Sequence, residues 1–475
     1  MDDLDDILKK AQKPQQATPL SDLVDEIAER TELQAQRVKA KALASQQSSS
    51  GDVPDDKKSA EASGASRRPP MDRYIQAIYL TLCVISVVEL YSASSREVAA
   101  GHVFAPLVRH VVQILIGMAI CFGVGRYPFR WIARCTSIIA LLSALAMAYV
   151  LVAGDIINGA RRGLTIGGIL IVPAELLKLS AVLVIARLTA RYQEKGGGVK
   201  NQGVIWCAVI VICFGGLLFT QGLTNTLLLM CISLSMMLIG GIQLKKFAVV
   251  CLLYGIVAGG AFAYKTHSDS DPTEQAEGSV HRGKTWANRL NRWDGDSVPK
   301  YMQPITAENR QEMYAYMAQA NGGLLGVFPG NSRETARLPL AFSDYIYSIV
   351  VEDLGFVGGV VLLVIYLSLL ARAGIIASRC DRVFPALLII GMAVMICFQA
   401  LFHMAIVTGV FPVSGQPLPM ISKGGMSIFV TSFAFGVMLS VSRYGYQRGS
   451  GKRKSEETEL PESIDAANPL QVKKK

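Results

Sequence analysis

Between Tyr74 and Tyr444 the chain is written in long apolar blocks, and no other feature of the sequence constrains its fold as tightly. About ten of these blocks reach the roughly 20 residues that, at 1.5 Å of rise each, let a helix cross a ~30 Å hydrocarbon layer. They begin near Tyr74, Val111, Thr136, Pro173, Gly203, Gly222, Lys246, Tyr345, Val383 and Met426. The overall balance agrees, because 51% hydrophobic against 18% charged residues in a chain of 475 is too apolar for a soluble enzyme of that length. The expectation is an all-α polytopic membrane protein with about ten transmembrane helices and a large extracytoplasmic loop between helices 7 and 8.

Loop cations set the orientation. Arg67, Arg68 and Arg73 precede the first block, Arg126, Arg130 and Arg134 separate the second from the third, and Arg187, Arg191, Lys195 and Lys200 the fourth from the fifth. Lys245 and Lys246 follow the sixth, Arg372, Arg379 and Arg382 the eighth, and Arg443, Arg448 and Lys452 to Lys454 the tenth. These loops alternate, so the positive-inside rule puts both termini in the cytoplasm. Residues 1–73 then form a largely disordered cytoplasmic tail, in which Ser21 to Ala42 has the cap and charge order of a short amphipathic helix. Residues 74–446 form the membrane domain and 447–475 a second charged cytoplasmic tail. No signal peptide is recognised ahead of the first block, which is expected to serve as the insertion signal. The segment 265–344 falls on the outer face and has room for a substantial site. The net charge of +10 comes from dispersed loop cations, with no aromatic-interleaved basic domain, so nucleic acid is not an expected partner. All nine cysteines lie in or beside apolar blocks, which argues against a disulfide framework.

There is no Gly-rich loop ending in Lys-Ser or Lys-Thr, no HExxH, no GxSxG and no Cys/His cluster with zinc spacing. An ATPase, a metalloprotease and a serine hydrolase are therefore poor fits. Function must be sought in polar residues placed where they are costly, since a charge at the centre of a membrane helix costs about 2.5–3.5 kcal/mol on insertion scales. In Val172 to Ser180, Pro173 suits a helix start, and Glu175 and Lys178 share one helical face. They serve either as a salt bridge pinning the helix end or, with Arg161 and Arg162 of the preceding NGARRGLTIGG, as a basic surface at the outer lipid boundary. Such a surface could hold a lipid-linked phosphate or pyrophosphate.

A second group runs from Gly322 to Gly359. Asp344 falls where the outer loop meets the eighth span, and Glu352 and Asp353 lie eight and nine residues further on; two adjacent acids inside an apolar span are costly and point to a function or an ion pair. On one straight helix Glu352 is about 12 Å deeper than Asp344. That separation does not suit the paired carboxylates of a glycosidase, which stand about 5–9.5 Å apart. A single interfacial carboxylate fits a general base that takes a proton from an attacking hydroxyl; the bland alternative is a helix N-cap. Gly322, Gly323, Gly326 and Gly330 either let backbone approach a bulky substrate or mark ordinary turns. Gly355 and Gly359 read as close helix packing.

The third group, Thr408 to Ser427, places three prolines and four glycines at membrane depth, where irregular backbone is tolerated only inside protein or along a cavity. Lys423 within it meets an acid or an anionic headgroup, or snorkels to the interface. His403 reads as a hydrogen-bonded packing residue.

On ten spans and in this order, these groups resemble the SEDS family of peptidoglycan polymerases, the FtsW, RodA and SpoVE group, over about Tyr74 to Tyr446. The elements that carry the resemblance are YSASS at Tyr91 to Ser95, NGARR followed by PAELLK, GGLLG with GNS, LP and SDYIYSIVVEDLG, and TGVFPVSGQPLP followed by IS and GG. The resemblance implies a peptidoglycan glycosyltransferase of the bacterial cytoplasmic membrane. It would join lipid II disaccharides into glycan on the outer face, with undecaprenyl pyrophosphate leaving. It also implies Asp344, within Ser343-Asp344-Tyr345-Ile346, as the general base, and Arg162, Glu175, Lys178, Arg333, Glu352, Ser422 and Lys423 as substrate-binding residues. The chain departs from the pattern at Gly163 (usually Trp), at Val172 and Ala174, at Leu223 (usually Asp) and at Lys423 (usually Tyr).

The expected partners are a class B penicillin-binding transpeptidase and, given the long charged tail, division-ring proteins, which favours the cell-division FtsW type over a RodA-type elongation polymerase. A lipid II flippase and an inactive scaffold for the transpeptidase are the alternatives, and the intact Asp344 segment argues against both. No cofactor is demanded by the residues. A divalent cation (Mg or Mn) at the leaving group stays open, with outer-face acids rather than histidines as its ligands.

Overall fold

The computed structural model describes residues 70–93, 105–157, 160–166, 169–194, 198–268, 293, 302–306, 309–335, 337–338 and 342–446. The expected helix at Ser21 to Ala42 and much of the outer loop lie outside these. The apolar blocks form helices α1 (Arg73–Ala93), α2 (Ala105–Arg126), α3 (Phe129–Ala153), α4 (Pro173–Arg191), α5 (Asn201–Phe219), α6 (Leu223–Ile239), α7 (Leu244–Ser268), α9 (Ile346–Ala377), α10 (Val383–Val407) and α11 (Gly425–Tyr446). Helix α8 (Arg310–Gly322) belongs to the outer loop. Between α3 and α4 the NGARRGLTIGG region forms an antiparallel meander, β1 (Asp155–Ile157), β2 (Ala160–Ile166) and β3 (Ile169–Ile171).

Eight of the described helices are long and apolar enough to cross a membrane. The two other expected spans are helical but atypical: α6 has only 17 residues, and α4 carries Glu175, Lys178, Arg187 and Arg191. Both pack against α5 and α10, so neighbouring helices cover what lipid would not. The apolar windows of α10 and α11 are 78% buried against 11% for α7, which makes the last two helices the centre of the bundle and α7 its rim. Leu141, Leu142, Leu145 and Val152 on α3 are exposed; a surface of this kind suits a hydrocarbon solvent.

Two devices fix the ends of the helices that carry the site. Asp72 is fully buried and accepts hydrogen bonds from the Tyr74 and Ile75 N–H groups, capping α1. The same carboxylate receives Arg372 of α9 at 2.5 and 3.1 Å, so one acid ties the start of α1 to the far part of α9. The second device is a break. Gly355 (φ 72°) interrupts α9, a left-handed conformation that suits glycine. A break leaves backbone groups unpaired, and at membrane depth each must find a partner. The loop after α8 supplies them: Val327 and Phe328 N–H donate to the carbonyls of Glu352 and Asp353, and Phe356 and Val357 N–H donate to those of Gly323 and Leu324.

This pairing settles the role of the loop glycines. A Cβ on Gly322 would collide with the Val351 carbonyl, and one on Gly326 with that of Asp353. The close backbone approach they permit is to α9 rather than to a ligand. Gly355 likewise marks a helix break, not a face for a neighbouring helix.

Candidate active site

Asp344 lies in a turn just before α9, whose N-cap is Tyr345. It is outside the helix, so the straight-helix separation from Glu352 does not apply to it. The turn is docked on the irregular segment 408–424 by two hydrogen bonds, from Lys423 N–H to the Phe342 carbonyl at 2.8 Å and from the Ser422 hydroxyl to the Ser343 carbonyl at 2.7 Å; within the segment, Leu418 N–H donates to the Ser422 hydroxyl at 2.8 Å. The Lys423 ammonium stands 4.3 Å from the Phe342 ring centre, a cation–π contact that holds the charge beside the turn. Asp344 itself is half-buried, and its carboxylate rests against Gly415: a Cβ at 415 would come within 2.8 Å of Oδ2. Only glycine leaves that space to the carboxylate.

The segment 412–418 forms neither helix nor strand, and side chains from the bundle hold it in place. Tyr366 of α9 donates to the Pro419 carbonyl at 2.6 Å, Ser86 of α1 to the Ile421 carbonyl at 3.4 Å, and His403 Nδ1 of α10 bonds the Gln416 carbonyl at 2.6 Å. The Gln416 amide reaches Asn225 of α6 at 3.0 Å. Irregular backbone is expected here only inside protein or along a cavity, and bundle side chains bond the carbonyls of Gln416, Pro419 and Ile421.

The α4 charges also meet α10. Lys178 is fully buried and pairs with Glu175 at 2.8 Å. Gln399 donates its amide to both oxygens of Glu175, at 3.2 and 3.4 Å. Gln399 and His403 lie one helical turn apart on one face of α10. Thus α10 connects the Glu175–Lys178 pair to the segment that seats Asp344. Neither Gln399, Gln416 nor Asn225 stands out in the sequence; for Gln399 and Asn225 the signal was that amides inside apolar helices need partners.

The remaining candidates sit elsewhere. Glu352 is fully buried and is filled by its own loop: the Ser332 hydroxyl donates to it, as do Arg333 N–H at 3.0 Å and Glu334 N–H at 3.3 Å. Arg333 therefore meets Glu352 through its backbone, while its side chain is exposed. Arg161 donates to the Leu151 and Val152 carbonyls at the end of α3, capping that helix instead of extending a basic surface. Arg162 falls within β2. At Gly163 a Cβ would meet Leu170 at 2.7 Å and the Ile171 carbonyl at 3.0 Å, so the meander closes over the position where the resemblance leads one to expect Trp.

The chain is 26% identical over 382 residues to the probable peptidoglycan glycosyltransferase FtsW of Coxiella burnetii, covering 78% of this chain and 96% of that one. It is 27% identical over 384 residues to stage V sporulation protein E of Bacillus subtilis, covering 78% and 97%. Its fold is similar to a chain of a solved peptidoglycan synthase complex, with a TM-score of 0.61 at 23% identity over 79% of this chain and 99% of that one. It is also similar to the Thermus thermophilus rod shape determining protein RodA, with a TM-score of 0.55 at 22% identity over 79% and 98%. Residues 72–447 match the FtsW, RodA and SpoVE model, described as cell cycle protein. The chain belongs to that family.

Proposed function

We propose that this chain is a peptidoglycan glycosyltransferase that polymerises lipid II at the outer face of the bacterial cytoplasmic membrane, with both termini in the cytoplasm and a role in cell division. The observation that carries the reading is the seat of Asp344, a half-buried carboxylate with a glycine behind it and a lysine-bearing loop beside it. Asp344 takes the proton from a sugar hydroxyl of the acceptor as its oxygen bonds to the anomeric carbon of the donor. The bond from that carbon to the pyrophosphate oxygen breaks, and the lipid pyrophosphate leaves with the electron pair. Lys423, held at the rim of the same turn, offsets part of the charge that develops on the leaving group. The Glu175–Lys178 pair and Gln399 stand on the neighbouring helices α4 and α10, where they are proposed to bind the lipid-linked substrate.

Among the described residues no group of three or more His, Cys, Asp or Glu is placed to hold a metal ion, and no step is routed through one. The partner class that fits is a class B penicillin-binding transpeptidase, in keeping with the synthase complex to which the fold is similar; division-ring proteins would meet the cytoplasmic tails.

The test is polymerisation of purified lipid II by the detergent-solubilised protein with its transpeptidase partner, wild type against Asp344→Asn. Long glycan from wild type and none from the folded variant is the expected result. No glycan from either, with partner bound and substrate intact, would overturn the polymerase reading in favour of a scaffold or flippase. Equal glycan from both would refute Asp344 as the base.

A further inference from the structure

The segment that seats Asp344 has no helix or strand to hold it, so its position depends on the side chains that reach it. Gln416 is reached from two helices at once. Its carbonyl is bonded by His403 of α10 at 2.6 Å, and its amide is bonded to Asn225 of α6 at 3.0 Å. The residue next to it is Gly415, against which the Asp344 carboxylate rests. We propose that His403, with Asn225, is a positioning residue for the polymerisation reaction: the two clamp Gln416 and thereby hold Gly415, and with it Asp344, in the geometry that the reaction uses. This inference rests on the polymerase reading.

The chemistry of the ring supports a directed role. A carbonyl can only accept, so His403 must donate through Nδ1, and in the neutral ring Nε2 then carries the lone pair. His403 is 1% exposed, and its Nε2 has no hydrogen-bond partner among the described residues. A residue needed only for bulk at this depth would be apolar, because an unsatisfied buried acceptor is costly. The ring is kept despite that cost, and the bond it does make falls on the one residue between Gly415 and Pro417. A general base must be held to within about 0.5 Å of its productive position, and within segment 412–418 Gln416 is bonded to two helices of the bundle.

The clamp is tested by separating the two nitrogens of the ring. His403→Leu removes both, whereas His403→Asn places an amide N–H where Nδ1–H stands and supplies nothing at Nε2. With the partner present and lipid II varied, His403→Leu is expected to lower kcat by about 10- to 100-fold with KM changed less than about twofold. His403→Asn is expected to recover most of that loss. An unchanged kcat in His403→Leu, an equal loss in both variants, or a change confined to KM would each overturn the proposal. A second readout needs no activity: in the Asp344→Cys/Gly415→Cys protein, copper-phenanthroline should form the 344–415 disulfide, identified by peptide mass spectrometry, and His403→Leu should slow it several-fold. An unchanged crosslinking rate would overturn the clamp even where polymerisation is intact. Failure of wild-type polymerisation would count against the polymerase reading and leave the crosslinking result to decide the clamp.

Discussion

Glu352 and Asp344 stand on either side of the start of α9, and the protein treats these two carboxylates in opposite ways. Glu352 is fully buried, and its oxygens are occupied by the Ser332 hydroxyl and two backbone N–H groups of the outer loop. It closes the loop onto the helix, as an acid can when it collects donors. Asp344 is half-buried, and the residue facing its carboxylate is a glycine. A charge near hydrocarbon is costly wherever it sits; Glu352 is buried with donors from its own loop, Asp344 is half-buried against a glycine, and the proposed function assigns the first to the fold and the second to the reaction.

The sharpest way to break this contrast is to neutralise each acid in turn. Asp344→Asn should abolish polymerisation, a loss of about 10²- to 10⁴-fold if it acts as general base, with no fall in the detergent melting temperature. Gly415→Ala should follow, lowering kcat by about 10- to 100-fold, because its new methyl would stand 2.8 Å from Asp344 Oδ2; an active, normally folded Gly415→Ala protein would show that the seat has slack. Glu352→Ala should instead act on stability, removing charge-assisted bonds worth about 1.5–3 kcal/mol each and lowering the unfolding midpoint. If Glu352→Ala were to lose polymerisation at an unchanged midpoint, the division into structural and reactive acids would be wrong. Gly355→Ala should cost about 1–3 kcal/mol through its positive φ of 72°. The smallest effect is expected from Gln399→Leu, about 1–3 kcal/mol or less, because Glu175 keeps its bond to Lys178; this change sharpens the contrast by showing whether the α4 pair is held for stability or for turnover.

Much of the candidate site was legible before any fold. Asp344, Glu175, Lys178 and Lys423 are charges set in apolar sequence, and the cost of such placement makes them visible. The Thr408 to Ser427 segment declared itself by its prolines and glycines. Other readings needed the structure. Nothing local distinguishes a glycine that admits a substrate from one that admits another backbone, so Gly322 and Gly326 became intelligible only once α9 was seen to break beside them. Arg161 looked like part of an anion site and is a helix cap, because which carbonyls a guanidinium can reach depends on where α3 ends. His403 was read as a hydrogen-bonded packing residue; it is buried and hydrogen-bonded, as expected, and its partner is the carbonyl next to Gly415.

The sequence by itself determined the solvent of this protein, the number of its apolar blocks and the residues whose charge demands an explanation, because the transfer cost of a side chain is a property of its chemistry and its near neighbours. The tertiary structure decided which charges meet. Asn225, His403 and Gln416 are silent in composition and become one network only where α6, α10 and the 408–424 segment converge, and Gln399 meets Glu175 only where α10 packs on α4. Hydrogen bonds are short and directional, so who bonds to whom is fixed by packing across the bundle, and with it the different surroundings of Glu352 and Asp344.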